Sequence, residues 1–155
     1  MIFFVDIWGI KIIEIIINKE GLEVPDILKN VGKDKFYFIR TYGCQGNEAD
    51  SEVIAGILEF LGYKKAEDVE KADVILLNTC AVRENAEEKV FGEIGALKKL
   101  KSVNPDIVLG VCGCMAQQEH IVDKILKFYN ANTVVAATRF WGEKWSFGIF
   151  TQRTA

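Results

Sequence analysis

From Lys35 onward the chain alternates two hydrophobic patterns. Short apolar runs, "KFYFIRTYG", "ADVILLNT" and "DIVLGVCG", are each followed by a longer stretch where apolar residues return every three or four positions. A brief run rich in β-branched and aromatic residues predicts a strand buried on both faces. The longer return period predicts an amphipathic helix. In "NEADSEVIAGILEFLG", Val53, Ile57 and Phe60 share one helical face. Val90, Ile94 and Leu97 do so in "RENAEEKVFGEIGALKKLK", and Ile121, Val122, Ile125, Leu126 and Tyr129 in "AQQEHIVDKILKFY".

The polar residues at the helix ends fit the same picture. Asn47 is suited to cap the first helix, with Glu48 and Asp50 in its opening turn and Gly62 just past its close. Glu84, Glu87 and Glu88 open the second helix, and Lys98, Lys99 and Lys101 close it as a solvated end, complementing the helix dipole. Strands alternating with helices predict an α/β fold with a mainly parallel sheet and right-handed crossovers. The expected architecture is a three-layer Rossmann-like or flavodoxin-like sandwich, with "NTVVAAT" as a last strand.

This unit occupies 35–136, between an amino-terminal extension (1–34) and a tail (137–155). The extension opens "MIFFVDIWGIKIIEIIIN", apolar but interrupted by Asp6, Lys11 and Glu14. A membrane-spanning helix wants about 20 apolar residues without central charges, and a signal peptide wants a basic start. The segment therefore reads as an extra strand or helix, or as an overextended start of the reading frame, and no membrane partner is expected. Pro25 and the turn-like "KNVGKDK" separate it from the repeat. In the tail, Phe140, Trp141, Trp145, Phe147 and Phe150 read as packing residues or a misplaced tail rather than a base-stacking platform.

Length and composition narrow the class. The 155 residues suit one domain, and a hydrophobic content of 50% argues against disorder. A net charge of −3 gives no reason to expect a DNA-binding or anionic-membrane surface, so any RNA contact should draw its phosphate-binding groups from elsewhere. Four cysteines are too few for a secreted disulfide scaffold, which favours a cytoplasmic setting with reduced thiols.

Three of those cysteines, Cys44, Cys80 and Cys114, each fall where a predicted strand runs into a helix. The carboxyl ends of parallel strands share one edge, where ligands bind, so the topology gathers thiols separated by 35 and 33 residues. A structural zinc site needs a fourth ligand, and the only histidine, His120, falls within the third helix as an exposed residue. Three thiolates without histidine suit a cubane iron–sulfur cluster with one open iron. Small buried residues at strand ends are the competing reading of the spacing. Cys112 completes the third strand, whereas Cys114 follows Gly113 as Cys44 follows Gly43.

The motifs "TYGCQGNEADSE", "NTCAVRENAEEKVFGEIGALKKLK" and "GVCGCMAQQE" occur in order and resemble the amino-terminal domain of the radical-SAM methylthiotransferases. Within that family they resemble the members acting on N(6)-isopentenyladenosine in tRNA. The ribosomal-protein members carry a Gly-Cys-Pro-Lys-Asn type of first motif, and those acting on threonylcarbamoyl-adenosine carry Thr-Val-Thr after "NTC".

The resemblance implies an auxiliary 4Fe–4S cluster held by Cys44, Cys80 and Cys114, with an open iron carrying the sulfur to be delivered. It also implies S-adenosylmethionine and a second 4Fe–4S cluster in the full-length enzyme, and a tRNA methylthiolated at carbon 2 of the adenosine beside the anticodon. Gln45, Asn78, Arg83 and Glu84 flank the cysteines and are candidates for orienting the loops or hydrogen-bonding cluster sulfurs. The Cys-x-x-x-Cys-x-x-Cys motif of the second cluster does not occur in this chain. The family pattern also breaks after Tyr129, as expected of a truncated or frameshifted gene or an isolated domain with a foreign tail. The chain alone is expected to hold the auxiliary cluster at most. Remaining alternatives are the same chemistry on a ribosomal protein or another modified adenosine, and a non-enzymatic α/β remnant without a cluster.

Overall fold

The alternating patterns fold as strand–helix units of one sheet. A computed structural model describes residues 5–7, 10–18, 21–23, 30–80, 86–128, 133–141 and 144–152. The extension supplies β1 (Val5–Ile7), β2 (Ile10–Asn18) and β3 (Gly21–Glu23). The repeating unit supplies β4 (Phe36–Tyr42), α1 (Gln45–Phe60), β5 (Lys64–Lys65), β6 (Val74–Thr79), α2 (Ala86–Val103), β7 (Val108–Gly113), α3 (Glu119–Phe128) and β8 (Thr133–Trp141). Strand β9 (Lys144–Gln152) follows.

Strands β5, β4, β6, β7 and β8 lie side by side in that order, every pair parallel. Numbered along the unit, this order is 2-1-3-4-5, so the sheet is flavodoxin-like rather than Rossmann-like in its winding. The direction of winding reverses between β4 and β6.

Two apolar layers flank the parallel strands. On one face, Ile54, Ile57 and Leu61 of the α1 region pack with Tyr37, Val74, Leu76 and Cys112. On the other, Val90, Ile94 and Leu97 of α2 and Ile121 and Ile125 of α3 pack on Ile75, Leu77, Leu109 and Val111. The period-2 alternation of strand side chains accounts for this division. Arg40 of β4 forms an ion pair with Glu93 of α2, tying sheet to helix at the rim of this core.

The second helical face is as expected, and the third is so for Ile121 and Ile125. Tyr129 and the side chains of Val122 and Leu126 lie outside the described residues. The first face is corrected. Ile54, Ile57 and Leu61 are buried, while Phe60 is 55% exposed and Val53 only half-buried. Positions 54, 57 and 61 follow the three-then-four step of a helix, which turns Phe60 away from the sheet.

Past the helix, Gly62 takes φ +95° and its N–H donates to the Glu59 carbonyl at 3.0 Å, while the Tyr63 N–H donates to Leu58 at 3.0 Å. This pair of bonds is a Schellman closure, which needs the left-handed conformation that glycine adopts freely. At the end of α2, Lys98 and Lys99 are exposed as expected. Lys101 is not fully solvated: its Nζ is enclosed without a hydrogen-bond partner, and burial lowers its pKa.

The extension and the tail join the sheet. "NTVVAAT" is not the last strand: β8 runs on to Trp141, β9 pairs antiparallel with it, and β2 pairs antiparallel with β9. Strands β1 and β3 both pair with β2. Without β9, β8 would present a row of unpaired backbone groups, the usual template for added strands. The side chains of Phe140, Trp141, Trp145, Phe147 and Phe150 lie outside the described residues. Asn30 and Asp34, at φ 63° and 61°, form the turn expected in "KNVGKDK". Among the described residues, no helix is long and apolar enough to cross a membrane.

Candidate functional site

The site of interest is the carboxyl edge of β4, β6 and β7. Register aligns Tyr42 with Thr79 and Thr79 with Gly113, so the three strands end in one tier. Cys80 and Cys114 directly follow Thr79 and Gly113, and Cys44 lies just beyond Tyr42. At a strand spacing of about 4.8 Å, three neighbouring strands bring these backbones within about 10 Å. Cys80 is further tied to β4 by its N–H, which donates to the Tyr42 carbonyl at 2.9 Å. The tier includes the β4/β6 reversal point, where open α/β sheets bind ligands.

The three cysteines differ in setting. Cys44 is exposed, extended (φ −95°, ψ −179°), and occupies the N-cap of α1. Cys80 is 7% exposed at the end of β6. Cys114 is exposed and opens a 3-10 turn, Cys114–Gln117, ahead of α3. Their backbones are neighbours, but no group of three or more His, Cys, Asp or Glu side chains among the described residues is gathered as a metal site. The donors are nonetheless chemically uniform, since three thiols at one edge with no histidine among them fit a thiolate-bound cluster better than a hard cation. His120 is exposed on α3, as expected.

Cys112 differs from Cys114 in both strand membership and burial. It pairs with Asn78 within the sheet, is 0% exposed and packs under α1. Burial, helped by the nearby Asp50 carboxylate, pushes its thiol up to about 12. Enclosed in the core, this thiol is not presented at the edge where Cys44 and Cys114 are exposed. Asp50 is itself raised by burial.

Beneath the cysteines lies a buried polar cluster. Asn47 is 3% exposed, and Asn78 and Thr79 are 0% exposed. The expectation that Asn47 caps α1 is corrected: Cys44 is the cap, and Asn47, three residues on, accepts the Cys44 N–H on its Oδ1 at 3.2 Å. Its Nδ2 donates to Asn78 Oδ1 at 3.2 Å and to the Thr79 carbonyl at 3.3 Å. Asn78 Nδ2 donates to the Asn47 carbonyl at 2.7 Å and to Ser51 Oγ at 2.8 Å. Thr79 Oγ1 donates to the Cys112 carbonyl at 2.9 Å, joining β6 to β7.

The glycines before Cys44 and Cys114 are explained by this cluster. A Cβ at Gly43 would lie 2.2 Å from Asn47 Oδ1. Gly113, at φ +91°, would bring one to 2.2 Å from the Thr79 carbonyl and 2.6 Å from Asn78 Oδ1. The close approach that these two glycines allow is to neighbouring protein. Of the flanking residues, Gln45 is exposed, Asn78 is buried, and Arg83 and Glu84 lie outside the described residues. Sequence reading missed the roles of Ser51 and Thr79. An asparagine three residues after the first cysteine and another two before the second were the available signal.

Fold and site together define a doubly wound α/β domain with three cysteines along its ligand-binding edge. Comparison with known proteins narrows this. The chain belongs to the family described as Uncharacterized protein family UPF0004, whose profile matches residues 36–136. A tRNA-2-methylthio-N(6)-dimethylallyladenosine synthase of Oceanobacillus iheyensis is 60% identical over 104 residues, covering 67% of this chain and 20% of the relative. The protein of the same name in Geobacillus thermodenitrificans is 56% identical over 115 residues, 74% of this chain and 22% of the relative. That of Staphylococcus aureus is 54% identical over 116 residues, 75% and 23%. The chain thus matches about a fifth of the length of these relatives. The likeness agrees with the resemblance carried by the three cysteine motifs.

Proposed function

We propose that this chain is the cluster-bearing domain of a tRNA methylthiotransferase acting on N(6)-isopentenyladenosine, with Cys44, Cys80 and Cys114 as the ligands of one 4Fe–4S cluster. The observation that supports the reading is the common tier in which β4, β6 and β7 end, just ahead of these cysteines. The names of the relatives support the substrate. The cluster would supply an open iron able to carry sulfur. The chain's own part is to hold three thiols on a rigid edge, to keep the Cys112 thiol apart in the core, and to offer Cys44 at a helix N-terminus where anionic charge is favoured. Cys44 and Cys114 are exposed and so accessible to a shared ligand, the Cys44 thiol donating to Asn47 Oδ1 at 3.4 Å. S-adenosylmethionine and the second cluster belong to the full-length enzyme, which meets tRNA in the cytoplasm.

The test is anaerobic reconstitution with iron and sulfide. The expected product is brown, with about one cubane cluster per chain. Cys44→Ala, Cys80→Ala and Cys114→Ala should each abolish the colour, and Cys112→Ala should keep it. A colourless wild-type chain, or equal loss in Cys112→Ala, would sink the assignment. For the substrate, deleting the gene that encodes this segment should remove the thiomethyl group from isopentenyladenosine in tRNA hydrolysates; its persistence would reject that half of the reading.

A further inference from the structure

We propose that Asn47 and Asn78 form a positioning pair that sets the three cysteine backbones relative to one another, a role that rests on the cluster reading above. One pair of side-chain amides bonds the chain at Cys44 and beside Cys80, and lies against Gly113 beside Cys114. Asn47 Oδ1 holds the Cys44 N–H, and Asn47 Nδ2 holds the carbonyl of Thr79, the residue before Cys80. Asn78 Oδ1 lies where a Cβ on Gly113, the residue before Cys114, would come within 2.6 Å. The two amides are bonded to each other across 31 positions of sequence.

The orientation of both amides follows from partners that act in one direction only. A backbone N–H can only donate, so the Asn47 atom facing Cys44 is oxygen, and its nitrogen faces the Thr79 carbonyl. A backbone carbonyl can only accept, so the Asn78 atom facing Asn47 O is nitrogen. Both donors of each amide are therefore used. Aspartate at either place would set a carboxylate oxygen against a carbonyl inside the protein, and an aliphatic residue would leave the Cys44 N–H without this acceptor. Apolar packing could fill the space between α1 and β6. Only a group with donors and an acceptor can bond the Cys44 loop to the end of β6, while Asn78 Oδ1 closes the space beside Gly113 at the start of the Cys114 turn.

The experiment compares wild type, Asn78→Ser and Ile94→Ala, the last a core variant remote from the edge. Three properties are read: hydrogen exchange at the Cys44 amide, iron content after reconstitution, and the electron paramagnetic resonance spectrum of the reduced cluster. Asn78→Ser removes the Asn78 acceptor of Asn47 Nδ2, loosening the amide that holds the Cys44 N–H, and should speed Cys44 exchange by up to about tenfold, the scale of one hydrogen bond. It should also lower iron content and shift the spectrum, while Ile94→Ala keeps the wild-type spectrum at whatever iron it retains. A folded Asn78→Ser chain with wild-type exchange, iron content and spectrum overturns the positioning role. If Asn78→Ser does not fold, Ser51→Ala takes its place. It removes one acceptor from Asn78 Nδ2 and should move the same readouts less far in the same direction; no movement overturns the proposal. A colourless wild-type chain rejects the cluster reading instead. In that event unchanged Cys44 exchange in Asn78→Ser separately rejects the amide pair as the element that fixes the loop.

Discussion

The interior of the parallel sheet and the edge above it are built from the same strands but obey different constraints. In the interior, Ile75, Leu77, Leu109 and Val111 are at most 1% exposed and meet Val90, Ile94 and Ile121 from α2 and α3. At the edge, Asn78 and Thr79 are equally buried yet polar, and Gly43 and Gly113 have no room for a side chain. Burial of apolar surface is non-directional, so the interior mainly needs the right volume. The edge needs particular donors, acceptors and backbone angles, because a buried amide without partners is costly. A region that positions chemistry thus reads as polar and glycine-rich where the pattern alone would continue an apolar strand.

Three substitutions probe this contrast, given from the largest effect to the smallest. Ile94→Ala should cost about 3 kcal/mol in urea unfolding, the usual scale for a buried cavity. A loss below about 1 kcal/mol would mean that α2 collapses onto the sheet and the interior is looser than its burial implies. Gly113→Ala adds a single carbon, yet it should cost on the order of 2 kcal/mol through positive φ and contact with the Thr79 carbonyl. An unchanged unfolding midpoint would show slack at the edge and erase the contrast. Gly92→Ala, on α2 with open space at the added Cβ, should instead gain about 0.5–1 kcal/mol by favouring helix. Destabilisation there would show that glycine position alone does not separate the two regions.

Much of the fold was legible along the chain. The strands "KFYFIRTYG", "ADVILLNT" and "DIVLGVCG" contain β4, β6 and β7, and the buried positions Val90, Ile94 and Leu97 were readable from period alone. The difference between Cys112 and Cys114 was legible too, because the one completes an apolar strand run and the other follows a glycine past its end, both local features. Phe60 was misread because Phe60 and Leu61 are both apolar, and only docking against the sheet selects one of them. Asn47 was misread because a capping preference names residue types, and Cys44 took the cap while Asn47 turned inward to Asn78. The pairing of β2 with β9 joins segments more than a hundred residues apart, and neither carries a local mark of its partner.

By itself, the sequence determined the alternation of strands and helices, the spacing that carries three cysteines to strand ends, and the family to which they point. These depend on hydrophobic period, turn residues and short motifs, all of which act within a few positions of the chain. Only the tertiary structure decided the 2-1-3-4-5 order, the joining of both terminal segments to one sheet, and the amide pair between α1 and β6. Those features depend on which surfaces meet after folding. A hydrogen bond across 31 residues has no period to betray it.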